Sequence, residues 1–61
     1  MNTFVVNTTF LDDDGFVLEK EIFKVDANST EEAYDIIDEE ILENQEMYPS
    51  DDYDLELLDV H

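Results

Sequence analysis

"FVVNTTFLDDDGFVLEKEIFKV", Phe4 to Val25, reads as two strands around one tight turn. Phe4, Val6, Thr8 and Phe10 alternate with Val5, Asn7, Thr9 and Leu11. β-branched and aromatic residues dominate the stretch, which predicts a strand from Thr3 to Leu11. "DDDG" follows, and Asp14-Gly15 is a strong hairpin signal because Gly15 takes a positive φ at no steric cost. The return strand is expected from about Phe16 to Val25. Phe16, Leu18 and Ile22 point to one side of it and Val17, Phe23 and Val25 to the other. That pattern calls for a bulge, expected near Glu19 to Glu21.

A change of period follows the hairpin. "DANSTEE" carries a helix start: Ser29 with Glu32 three residues on forms a capping box, and Glu31 and Glu32 suit the positive end of the dipole. At about 100° per residue, Ala33, Tyr34, Ile37 and Ile41 share one face, with Ile36 and Leu42 at its margins. The helix should fade between Asn44 and Tyr48, ahead of Pro49. "PSDD" reads as a turn and "YDLELLDV" as a third strand, with Tyr53, Leu55 and Leu57 on one face and a bend suggested by Leu58 and Val60. The fold expected is α+β, in the order β-β-α-β. With the third strand beside the first, it is a three-stranded antiparallel sheet with one helix packed on one face. Residues 1–61 make one small domain without repeat or linker.

Sixty-one residues lie near the lower limit for a chain that folds alone, so the core must be small. The composition is still globular: 43% of residues are apolar, with four Phe and three Tyr. That content separates the chain from charged disordered segments. There is no Cys, so disulfides and thiolate metal sites are excluded. The N-terminus has no basic segment followed by an apolar run, and no stretch nears the roughly 20 apolar residues of a membrane span. The cytoplasm is the expected location, that of a bacterial host if the chain is phage-encoded.

Nineteen acids against Lys20 and Lys24 give a net charge of −17. Binding to nucleic acid or an anionic membrane through a basic surface is excluded, and basic partners are favoured. The charge is concentrated in "EEAYDIIDEEILENQE", Glu31 to Glu46, which holds no Lys or Arg. On the helical projection Glu31, Glu32, Asp35, Asp38, Glu39, Glu43 and Glu46 fall opposite the apolar stripe, with Glu40 near the border. Seven carboxylates over a rise of roughly 22 Å make one charge per about 3.8 Å of axis, against ~3.4 Å per phosphate of one DNA strand. Glu31, Asp35, Glu39 and Glu43 form an i, i+4 ladder whose three like-charge pairs cost roughly 1 kcal/mol together. Solubility alone needs far less charge, and needs both signs. Salt adaptation fits poorly, because Ile, Phe and Asn are common and both cations are Lys.

Catalysis is not expected. His61 is the only histidine and is terminal, which puts nucleophile–histidine arrangements out of reach. A calcium loop fails as well. With Gly15 at the sixth position, Asp12, Asp14 and Glu21 take positions three, five and twelve, but Phe10 takes the first and the flanks are strands. No cofactor and no metal is expected.

These readings converge on a nucleic-acid mimic. The helix acids, joined by Asp12, Asp13 and Asp14 at the hairpin tip and by Asp51, Asp52 and Asp54, would occupy the basic groove of a DNA- or RNA-binding protein. The alternative is a small acidic accessory module that binds another basic protein or completes an assembly by strand addition. With "FLDDDGFVLEKE", Phe10 to Glu21, and its order of elements, the chain resembles small acidic phage-encoded inhibitors of host nucleic-acid enzymes. These are the anti-restriction, anti-CRISPR and uracil-DNA glycosylase inhibitor type, nearest to the last as found in some Bacillus phages. The resemblance covers about a third of the chain and implies inhibition by DNA mimicry, although no target-contacting residue carries over. Apolar residues on both sides of the sheet, among them Val5, Leu11, Phe16 and Leu18, further suggest a homodimer.

Overall fold

The computed structural model describes all of residues 1–61. The elements are β1 (Asn2–Leu11), β2 (Val17–Ala27), α1 (Thr30–Glu43), a 3₁₀ turn (Gln45–Met47) and β3 (Tyr53–Val60). The sheet order is β2-β1-β3, with β1 antiparallel to both neighbours. The outer strands β2 and β3 therefore run parallel to each other, and α1 carries the chain across β1 between them. This is the expected α+β, β-β-α-β arrangement.

Strand β1 sets the layers. Phe4, Val6, Thr8 and Phe10 are buried, while Val5, Asn7, Thr9 and Leu11 are half-buried on the opposite face. Phe23, Val25 and Ala27 of β2 and Tyr53, Leu55 and Leu57 of β3 line the same side as the buried β1 residues. Ala33, Ile37 and Ile41 of α1 close over them, so a period of two meets a period of 3.6 across one small core. Phe10 is its hub: its ring stacks on Tyr48 at 5.4 Å and tilts against Tyr53 at 5.8 Å, and Tyr48 also meets Phe23 at 6.1 Å. Tyr34, Tyr48 and Tyr53 all pack against the core.

Local chemistry fixes the ends of each element. Gly15 takes φ 87°, the only positive φ in the chain. Asp12 Oδ1 accepts from the backbone N–H groups of Asp14 and Phe16, both at 2.9 Å, and so holds the turn from inside. Ser29 Oγ accepts from the Glu32 N–H at 3.1 Å, which is the N-cap half of the expected capping box. At the other end of α1, Asn44 Nδ2 donates to the Glu40 carbonyl at 2.9 Å.

Both irregularities of the sheet are single extra residues. Leu11 lies opposite Val17 rather than Leu18, so the β2 bulge sits beside the turn and not at Glu19 to Glu21. There the strand alternates regularly, with Glu19 and Glu21 on the helix side and Lys20 and Ile22 on the far side. The second bulge is at Leu58, between the pairs Val6–Leu57 and Val5–Asp59, where the sequence suggested a bend.

Only eight residues are buried, and one of them, Thr8, has a hydroxyl with no hydrogen-bond partner. Burying a hydroxyl unpaired costs about 1–3 kcal/mol, and valine has the same shape without that group. Thr8→Val should therefore stabilise the protein by about 1 kcal/mol, read as a rise in the urea midpoint at unchanged slope. A lowered midpoint would mean that the hydroxyl has a role in the fold.

Candidate functional site

The candidate surface begins with α1, whose buried stripe leaves the opposite side to solvent. Glu31, Asp35, Glu39 and Glu43 are all exposed, and the ladder expected from their spacing stands along the helix. No Lys or Arg neutralises it. The only ion pair in the chain joins His61 Nδ1 to Asp59 Oδ2 at 2.9 Å, on β3 and the terminus beyond it. The last turn of α1 likewise holds no basic residue to balance the negative end of its dipole.

The α-helix stops at Glu43, so Glu46 belongs to the 3₁₀ turn and leaves the helical row. The row that remains is Glu31, Glu32, Asp35, Asp38, Glu39 and Glu43. Its rise is roughly 18 Å, or one carboxylate per about 3.6 Å of axial rise, closer to the ~3.4 Å of a phosphate strand than the longer row would be. Asp38 is exposed but engaged: its Oδ1 accepts from Tyr53 Oη at 2.7 Å and ties α1 to β3. Glu32 is half-buried at the helix start.

Other acids gather at one end of the molecule. The Leu11 N–H donates to the Asp52 carbonyl at 2.8 Å, bringing Asp51 and Asp52 beside the hairpin tip. Tyr48, just past the 3₁₀ turn, stacks on Phe10 near the same tip, so Glu43 and Glu46 point toward this end as well. Asp13 and Asp14 are exposed there, whereas Asp12 is committed to its turn.

Asp54 does not belong to the surface. It pairs with Thr9, on the face of the sheet turned away from α1. Tyr53, Leu55 and Leu57 face the helix, and the period of two sends Asp54 and Glu56 to the other side. Glu19 and Glu21 lie on the helix side of β2 instead, in registry with Phe10 and Thr8.

Leu42 is the residue that the apolar stripe conceals. It stands 68% exposed, with Asp38 four residues before it, Glu39 three before and Glu46 four after. A single apolar side chain thus projects from the middle of the acidic face. Phe16 and Met47 are also widely exposed, near the hairpin tip and in the 3₁₀ turn. The surface has no cavity, no three side chains converge as metal ligands, and no helix is long and apolar enough to cross a membrane.

Two phenols feel this environment. Burial, followed by the charges of Glu40 and Glu21, raises Tyr48 above the usual tyrosine value. Burial, the bond to Asp38 and the Asp38 charge together push Tyr53 from 10.0 up to about 12. A folded-state value above the unfolded one means stability that is fully present below pH 10 and lost as pH rises toward 12. Tyr53→Phe should cost about 1 kcal/mol at neutral pH, and its gap from the parent should close between pH 10 and 12 in urea unfolding. A gap that stays constant over that range would contradict the assignment. Glu39→Lys removes two repulsive ladder pairs and should stabilise the fold by roughly 0.5–1 kcal/mol at low salt, less at high salt. Thermal melts at two ionic strengths check both the sign and the screening.

No protein-family model, curated protein or solved structure matches this chain, so its surface is read from its own residues.

Proposed function

We propose that the protein is a nucleic-acid-mimic inhibitor that blocks the basic groove of a DNA- or RNA-binding protein. One observation carries this reading: a largely exposed row of carboxylates along α1, one per about 3.6 Å of axial rise, with no Lys or Arg of the chain paired to it. A groove built for phosphates presents Lys and Arg at a matching spacing and supplies the missing countercharge. Electrostatic steering makes such an association fast and strongly salt-sensitive.

Charge alone gives little affinity at physiological salt, because exposed ion pairs are individually weak. Leu42, exposed within the row, is suited to anchor the contact by entering an apolar recess between the partner's basic residues. Asp13, Asp14, Asp51 and Asp52 extend the negative surface at the hairpin end. The resemblance to phage-encoded inhibitors of the anti-restriction, anti-CRISPR and uracil-DNA glycosylase inhibitor type supports the same class. It would place the target among host defence or nucleic-acid enzymes.

A second reading rests on a different feature. Both outer strands have a free edge, which suits an acidic accessory module that completes a larger assembly by strand addition.

Affinity capture from a host lysate separates the two. Mimicry expects nucleic-acid enzymes that are released by moderate salt and displaced by duplex DNA. Partners that hold through high salt, with DNA unable to compete, favour the module. Against a captured partner, the double variant Asp35→Lys with Glu39→Lys should lose at least ten-fold in affinity while melting no lower than the parent. Unchanged affinity would remove α1 from the mechanism.

A further inference from the structure

We infer that the sheet face turned away from α1 is a homodimer interface, in which two copies pack back to back about a two-fold axis running along β1. The argument starts from the pairing registers. On this face the cross-strand rows are Asp26–Thr3–His61, Lys24–Val5–Asp59, Ile22–Asn7–Glu56 and Lys20–Thr9–Asp54. Both lysines of the chain thus stand on the β2 side with Asp26, and three acids stand on the β3 side with His61. Neither lysine makes an ion pair within its own chain.

A two-fold axis parallel to β1 exchanges left and right but leaves the height along the strand unchanged. Each row then meets itself reversed. Lys24 of one copy faces Asp59 of the other, and Lys20 faces Asp54, twice over by symmetry. An axis across the strands would instead set lysine against lysine and acid against acid. The charge pattern therefore selects one orientation, and that orientation is compatible with aligned packing of twisted sheets. Asp59 Oδ2 lies 2.9 Å from His61 Nδ1, and its carboxylate stands 63% exposed toward the partner copy.

The apolar residues agree. Each bulge puts two residues opposite one on β1: Val17 and Leu18 oppose Leu11, and Leu58 and Asp59 oppose Val5. The extra residue is apolar in both cases, and Leu18 is 49% and Leu58 51% exposed. With Ile22, also 51% exposed, they give the face an apolar patch at each end and one on its β2 side. Three strands ~4.8 Å apart and ten residues long offer a face of roughly 14 by 34 Å per copy. Two such faces total roughly 950 Å², just under the ~1,000 Å² at which specific interfaces begin, so the dimer is expected to be weak and reversible.

Sedimentation velocity at about 0.15 M salt, where the Debye length is ~8 Å, tests the assignment. At about 100 μM the protein should sediment as twice its 7.2 kDa chain. Lys20→Glu with Lys24→Glu makes both flanks negative, and Asp54→Lys with Asp59→Lys makes both positive. Each double variant should be monomeric, and their equimolar mixture should form a one-to-one heterodimer. Asn7→Arg provides a control that does not alter the flanks. Asn7 lies at the axis, so two added cations would meet there and the variant should be monomeric, with circular dichroism reporting an intact fold. A monomeric parent, a dimer indifferent to Asn7→Arg, or charge variants that stay monomeric when mixed would overturn the proposal.

Discussion

The fold depends on the alternation of β1. Phe4, Val6, Thr8 and Phe10 are the buried side chains of β1, and each lies in a row with residues of the neighbouring strands. A slip of one residue would turn all four to the other side and bring Val5, Asn7, Thr9 and Leu11 under the helix. Two of those are polar, and no second core exists to compensate. The aromatic cluster around Phe10 guards this register at the hairpin end, where Tyr48 and Tyr53 arrive from opposite sides of the 3₁₀–β3 connection. Apolar burial in so small a core must also outweigh the mutual repulsion of a chain at −17.

That repulsion is not spread evenly. The helix row leaves its carboxylates without a cation and, apart from the half-buried Glu32, exposed, and only Asp38 meets a partner, the neutral phenol of Tyr53. The hairpin tip and the Asp51–Asp52 turn meet at one end because the Leu11–Asp52 hydrogen bond joins them. The far side of the sheet is different, with cations and anions mixed in ordered rows. One chain therefore carries two surfaces of different electrostatic character, one uniformly negative and one mixed, on the two sides of its small core.

Much of this was legible in the sequence. Asp14-Gly15, the Ser29 cap and the period of β1 are local signals, and local signals fixed the hairpin, the helix start and the order of elements. The position of the first bulge was not legible: which residue is extra depends on hydrogen bonding between strands, and the alternation of Ile22 and Phe23 mimics a shift that occurs four residues earlier. The Asp38–Tyr53 bond joins a helix to a strand fifteen residues away and leaves no pattern in either. Two features were within reach of simple geometry. If Tyr53 and Leu55 face the helix, parity alone sends Asp54 away from it. Five steps of about 100° carry Leu42 to roughly 140° from Ile37, into the acids and away from the stripe.

The placement of the two lysines narrows the physical explanations of the acidity. A cation relieves repulsion best where the potential is most negative, along the ladder from Glu31 to Glu43. Lys20 and Lys24 stand instead on an edge strand, facing away from the helix and paired with no carboxylate of their own chain. Relief of internal repulsion does not account for that arrangement. Protection of the β2 edge accounts for lysines on this strand but not for the matching acids in the same rows on β3. Under the two proposals a single principle covers both surfaces: each carries the charge its partner would leave unbalanced. The countercharge of the negative helix would come from a basic protein, and that of the mixed sheet face from a second copy of the chain. Back-to-back packing would also leave both helices facing outward, so neither contact obstructs the other.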